Sequence, residues 1–226
     1  MNCPDWSFTT LPDPTFHITP NQMFTEGFEQ SEVGDIPLGW ELENLNDDNA
    51  FWSTIANSIT SVNAHTGQKA LHMSFSFLSA NNDWIYTPPL QLTGGSTYKL
   101  EFWYKAIPFP GDPCVEKMEV KWGVLPNALA MSSQLLLMDS ITNETYQRSE
   151  VTITPPLDGS YFIGFHAFSD PLQFILLIDD IKVSLTTSAA DQMITNPGLT
   201  GICVIYPNPF AQQAEIFYYL DKNSLS

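Results

Sequence analysis

The sequence predicts an all-β fold, a β-sandwich, and three observations support it. Short apolar–polar alternations recur from Phe24 to about Leu185, and Gly- and Pro-rich turn signals separate them. No segment sustains a helical period. Hydrophobic residues make up 43% of the 226 positions and aromatics 13%, enough to fill the space between two sheets.

Taken in order, residues 1–22 read as one short strand, in WSFTT, followed by a connector that Pro12, Pro14 and Pro20 keep from regular structure. In FTEGFE (24–29), Phe24, Glu26 and Phe28 alternate with Thr25, Gly27 and Glu29, so the spacing predicts a strand closing on Glu29. A Pro37–Gly39 turn then leads to Trp40. Further strands are expected in ALHMSFSF (70–77), WIYTPPLQL (84–92), YKLEFWYKA (98–106), EKMEVKWGV (116–124), EVTITP (150–155) and GSYFIGFHAF (159–168). TGG (93–95), PGDP (110–113) and LDG (157–159) mark turns, and LPNALAMSSQLLLMD (125–139) has room for a turn or two of helix.

The last strand, FILLIDDIKVSL (174–185), poses a problem. With period two, Asp180 shares a face with Lys182 and Ser184, whereas Asp179 lies in line with Ile175, Leu177, Ile181, Val183 and Leu185. An unpaired carboxylate on an apolar face costs several kcal/mol or gives up its charge, so something must compensate Asp179. After Leu185, residues 187–200 have the composition of a linker, and a fresh β-like segment opens in VIYPNPFAQQAEIFYYL (204–220).

With 25 Asp plus Glu against 8 Lys plus Arg, the formal charge of −17 argues against nucleic acid and anionic membrane surfaces, and suits divalent cations. No apolar run approaches the roughly 20 residues that span a bilayer, and the opening MNCPDWSFTT lacks the basic and apolar regions of a signal peptide. Cys3, Cys114 and Cys203 are odd in number and have no C-x-x-C spacing, so neither a disulfide framework nor a zinc site is expected.

Calcium takes several hard oxygens, mixing carboxylates with main-chain carbonyls of irregular loops. An early-strand Glu29 and a late-strand Asp179 that met in the fold would supply the carboxylates, with loop 30–36 supplying carbonyls and Asp35 an extra ligand. The competing reading leaves Glu29 and Asp179 separately solvated at strand ends.

Five motifs in order carry a family resemblance: GFE (27–29) with IPLGW (36–40), NLNDDNAFW (44–52), HTGQKALHMS (65–74), NDWIYTPPLQLTGGSTYKLEFWYKA (82–106) and LLIDDIKV (176–183). Over about residues 23–186 the chain resembles the cleaved-adhesin or choice-of-anchor jelly-roll modules of secreted Bacteroidetes proteins, known from gingipain adhesin regions. It is more distantly similar to MAM domains and carbohydrate-binding modules. The resemblance implies a jelly-roll β-sandwich of two antiparallel sheets and a structural calcium at the positions of Glu29, Asp179 and Asp180. The family's acidic loop before the tryptophan corresponds to Asp47 and Asp48, without a glycine between the acids. SFTTLPDP resembles the end of a fibronectin type III domain, and Pro207, Asn208 and Pro209 resemble the opening of a type IX secretion C-terminal sorting domain at 201–226.

No catalytic constellation stands out. His17, His65, His72 and His166 are scattered without metal spacing, His72 and His166 read as satisfied strand residues, and no nucleophile elbow, Cys–His signature or P-loop occurs. The expected function is therefore a non-catalytic, calcium-stabilised adhesion module of a larger secreted or cell-surface bacterial protein. It would act as a monomeric unit of a multidomain chain, without membrane insertion, and bind a host or matrix protein or a glycan. The alternative is a carbohydrate-binding module attached to a secreted glycosidase or peptidase. For that role Trp52 and Trp84, which follow polar loops, are the candidate stacking platforms.

Overall fold

The computed structural model describes residues 13–58 and 62–186 in full, together with the main chain of 201–206 and 215–220. The readings placed on WSFTT and on Pro207–Pro209 fall outside those residues. The fold is an all-β jelly-roll sandwich of one seven-stranded and one six-stranded sheet. In chain order the strands are β1 (Phe16–His17), β2 (Phe24–Glu26), β3 (Glu41–Asn44), β4 (Trp52–Ala56), β5 (Lys69–Ser74), β6 (Asp83–Tyr86), β7 (Leu90–Leu92) and β8 (Tyr98–Ile107). They continue as β9 (Glu116–Gly123), β10 (Ser133–Ile141), β11 (Gln147–Ile153), β12 (Gly159–Ala167) and β13 (Ile175–Leu185). A separate antiparallel pair joins β14 (Gly201–Tyr206) to β15 (Glu215–Leu220).

Both sheets are built around a long strand whose partner on one side is interrupted. In the first, β12 has β9 and then β10 on one edge, and β6 and β7 end to end on the other. The interruption is Pro88–Pro89, which have no N–H to give the ladder. Thr87 bridges the gap, donating its N–H to the Ile163 carbonyl (2.9 Å) and accepting the Ile163 N–H on its hydroxyl (3.0 Å). In the second sheet, β13 has β8 and then β11 on one edge, and β5 and β2 in line on the other, with β4 outside β5.

Three expectations change. The Pro-rich connector is not structureless: β1 pairs parallel with β7, and Ile18 is buried in the core. β2 stops at Glu26 instead of Glu29, because Phe28 takes a left-handed conformation (φ 60°) that turns its ring inward, 6.0 Å from Trp40. The 125–139 segment gives one 3-10 turn at Ala128–Ala130, capped by Asn127 Oδ1 (3.0 Å), and its leucine run then pairs with β9 as β10.

The core between the sheets holds Phe24, Phe28, Trp40, Trp52, Tyr98, Phe102 and Phe165 among its largest side chains. Each such ring stabilises the fold by about 2–3 kcal/mol relative to exposure.

Candidate functional site

The twin aspartates form a β-bulge. Asp179 stands opposite Trp103 and Lys182 opposite Glu101, so β13 spends three residues where β8 spends two. Asp180 absorbs the extra residue with φ 47°, a left-handed conformation that aspartate tolerates better than most residues. The bulge also reverses which residues face inward. Leu176 and Ile178 point into the main core before it, Ile181 and Val183 after it. Asp179 therefore does not share a face with Ile181 and Val183, as strict alternation implied. It lies on the outer face with Ile175 and Leu177, which pack in a second cluster under Val62.

That outer face is covered by the 62–69 loop, which compensates the carboxylate. Asp179 is 0% exposed, and its Oδ2 accepts the N–H groups of His65 (2.7 Å) and Thr66 (3.2 Å) while Oδ1 accepts that of Asp180 (2.7 Å). Asp180 takes the His65 ring through Nδ1 (2.6 Å) and the Thr66 hydroxyl (2.7 Å). The imidazole in turn stacks on Trp103 at 3.9 Å. Burial and the neighbouring Asp180 charge push Asp179 up to about 7, against the pull of those three N–H donors.

Glu29 reaches the same loop from the other end of the module. Its Oε1 accepts the N–H groups of Gln68 and Lys69, both at 2.8 Å. The Lys69 ammonium returns to the carbonyls of Glu29 (3.1 Å) and Ser31 (2.6 Å). Gly67 is required here: its φ is +66°, and a Cβ would lie 2.3 Å from Glu29 Oε1. Thus Glu29, just past β2, and Asp179 and Asp180, in the last strand of the sandwich, close on one loop, 65–69. The sequence reading did not assign that loop a role, although HTG, a polar turn with a glycine, was its signal. Asp35 is not part of this cluster; its exposed residue meets β4 through the main chain, accepting the Thr54 N–H on its carbonyl (2.7 Å).

Oxygen is the donor type that a hard cation takes, and the oxygens here already accept protein donors. The oxygens are carboxylates and carbonyls, and the carbonyls of Glu29 and Ser31 already face a positive charge in Lys69. Among the described residues no group of three or more His, Cys, Asp or Glu side chains gathers closely enough to hold a metal.

The loop before Trp52 is closed by amides. Asn44 accepts the Asn46 (3.2 Å) and Asp47 (2.8 Å) N–H groups and donates to the carbonyls of Asp48 (2.9 Å) and Ala50 (3.2 Å). Asp47 takes φ 52° in place of a glycine. Asp83 behind it is buried, and desolvation raises it to about 6.

Both candidate tryptophan platforms are inside. Trp52 is 0% exposed and donates its indole N–H to the Asp83 carbonyl (3.0 Å). Trp84 is 3% exposed, flat against His166 (4.4 Å, 2°). Neither ring can stack on a sugar. His166 is held between Glu119 and Asn82, both at 2.9 Å, and His72 bonds the Ser53 carbonyl (2.8 Å), so both are satisfied strand residues.

An aromatic cluster lies elsewhere, on the loops after β5, β8 and β12, where Phe77 is exposed and Phe75, Phe109 and Phe174 are half-buried. Phe75 meets Phe77 (4.7 Å) and Phe109 (4.9 Å) edge-on, and Phe109 stacks on Phe174 (4.2 Å). Phe77 is 67% and Leu78 94% exposed. Two shallow clefts flank the rings, one of about 390 Å³ beside Asp48, Phe77 and Leu78, the other of about 530 Å³ beside Phe109, Asp112 and Glu144. The sequence reading ran β5 on through Phe77, which hid this cluster; the strand ends at Ser74, whose carbonyl accepts the Asn81 side-chain amide (3.1 Å).

Residues 24–113, fewer than half of the chain, match the family model described as Cleaved Adhesin Domain. The structure is similar to the K1 Cleaved Adhesin domain of Lys-gingipain from Porphyromonas gingivalis W83, at 16% identity over 74% of this chain and 99% of that one, with a TM-score of 0.59. It is also similar to TmCBM61, solved in complex with β-1,4-galactotriose (16% identity, 80% and 100% covered, TM-score 0.51). A third likeness is to the Stig cyclase Fisc from Fischerella sp. TAU (16% identity, 72% and 94% covered, TM-score 0.51). At these identities the likenesses establish the fold. No curated protein matches the chain. No helix among the described residues is long and apolar enough to cross a membrane.

Proposed function

We propose that the chain is a non-catalytic binding module of a secreted or surface-displayed bacterial protein, braced by calcium at the Glu29–Asp179–Asp180 rim and engaging a protein or a glycan. The observation that carries this reading is the closure of carboxylates from both ends of the module on loop 65–69. That arrangement ties an early and a late segment of the module together and leaves the loops after β5, β8 and β12 available for contact. The adhesin-family match over 24–113 and the likeness to an adhesin domain and a glycan-bound module support the class of function. The scattered, internally bonded histidines offer no base for chemistry.

Calcium would supply a structural charge at the rim, held by Glu29, Asp179 and Asp180, the carbonyls of Glu29 and Ser31 being taken by the Lys69 ammonium. Thermal unfolding in EDTA and then in rising calcium tests it, since an ion that binds only the folded state raises Tm with concentration. The rise should disappear in Asp179→Asn and Glu29→Gln. A wild-type Tm indifferent to calcium removes the ion and leaves loop 65–69 as the sole brace.

A further inference from the structure

We propose that the loop end bearing Phe75, Phe77, Leu78, Phe109 and Phe174 is a docking surface for a protein segment that presents an apolar side chain flanked by lysine or arginine. The inference rests on the binding-module reading and assigns its contact surface. Its first support is exposure: Phe77, Leu78 and Leu172 stand open to water around a contiguous ring cluster, an arrangement that solitary soluble surfaces avoid.

The second support is order. The three loops are tied to one another by the Leu172 N–H on the Ser76 carbonyl (3.0 Å) and the Val115 N–H on Gln173 Oε1 (2.6 Å). Buried Glu116 accepts the buried Ser169 hydroxyl at 2.6 Å beneath them. A surface fixed in advance loses little entropy when a partner arrives.

The third support is charge. The whole chain carries a formal −17, and Asp48, Asp112 and Glu144 line the two clefts. The one cation lining them, Lys105, turns its ammonium to Asn63 Oδ1 at 2.6 Å, and nearby Lys117 pairs with Asp170 at 2.5 Å. The field at this end therefore favours a basic partner.

A peptide fits better than a sugar. Leu78 and Leu172 have no flat face for a pyranose. In the cleft beside Phe77 the polar groups a sugar would use are already engaged: Ser76 and Ser79 bond each other (2.9 Å), and Asp48 accepts from Ala50 (2.9 Å), Asn46 (3.0 Å) and Ser79 (2.6 Å).

The test measures binding of the full chain to three short synthetic peptides, repeating Gly-Lys-Phe-Ser, Gly-Glu-Phe-Ser and Gly-Lys-Ser-Ser, and to β-1,4-galactotriose. The Lys-Phe peptide should bind at least about tenfold more tightly than the other two and weaken with salt. The double variant Phe77→Ser/Leu78→Ser, with Tm unchanged, should lose about tenfold of that affinity. Equal binding by the variant overturns the docking surface but keeps a binding module that acts elsewhere. Galactotriose binding lost in the variant overturns it in favour of a glycan site. If no peptide and no sugar binds, the docking surface falls while the binding-module reading still stands on the adhesin-family match.

Discussion

Two regions of this molecule treat their residues in opposite ways. At the rim, Asp179 is buried and its carboxylate is met by three main-chain N–H donors. At the loop end, Phe77 faces water and packs edge-on against half-buried Phe75. Burial of a carboxylate is tolerated where main-chain N–H groups are aimed at it, and such geometry is rigid. Exposure of rings is tolerated where stacking and loop ties hold them, and such surfaces are available to partners. The difference separates a part of the fold that holds the chain together from a part that contacts something else.

The largest test of that contrast is Asp179→Ala. It leaves the N–H groups of His65, Thr66 and Asp180 without an acceptor, at about 1 kcal/mol or more each, so about 3 kcal/mol of stability is lost. For a domain of this size Tm falls by about 10 °C. A loss below about 1 kcal/mol would show that the rim does not hold the module.

Next is Gly67→Ala. Its Cβ meets Glu29 Oε1, and the backbone must keep a positive φ, so a loss of about 2 kcal/mol is expected in urea unfolding. Restoration of stability by Glu29→Ala in the same chain would assign the cost to that contact.

A third test uses pH. Burial raises Asp179 and Glu116 to about 7 and Asp83 to about 6, above the roughly 4 of an unfolded carboxylate. The native state therefore holds more protons between those values, and their contribution is complete below about pH 4 and declines as pH rises towards about 7. The urea midpoint in EDTA should be lower at pH 8 than at pH 5. Asp179→Asn together with Glu116→Gln should flatten the slope; a midpoint that rises with pH would contradict the assignment.

The smallest effects belong to the loop end. Leu78→Ser and Phe77→Ser should each change stability by less than about 0.5 kcal/mol, as should Asp35→Ala, whose structural contact is made by its main chain. A larger loss at Phe77 would make the ring cluster part of the core.

Much of this architecture was legible in local pattern. YKLEFWYKA, EKMEVKWGV and GSYFIGFHAF became β8, β9 and β12 within a residue or two, because alternation on a half-buried sheet is a local property. The anomaly at Asp179 was legible too, as a charge that needed a partner. The kind of partner was not. Strict alternation could not reveal that Asp180 is the extra residue of a bulge, because a bulge is defined by the strand opposite. Trp52 and Trp84 looked exposable beside polar loops, yet Trp52 packs between the sheets and bonds the Asp83 carbonyl, and Trp84 lies buried flat against His166.

By itself, then, the sequence determined an all-β sandwich, its principal strands and the need to neutralise one buried acid. These follow from period-two patterning and the desolvation cost of charge, both of which act within a few residues. Only the tertiary structure decided that Glu29 and Asp179 meet on loop 65–69, that Asp35 stands apart, and that Phe77 rather than Trp84 faces outward. Those outcomes depend on contacts between segments more than thirty residues apart along the chain, where one bulge or one proline changes which side chain points where.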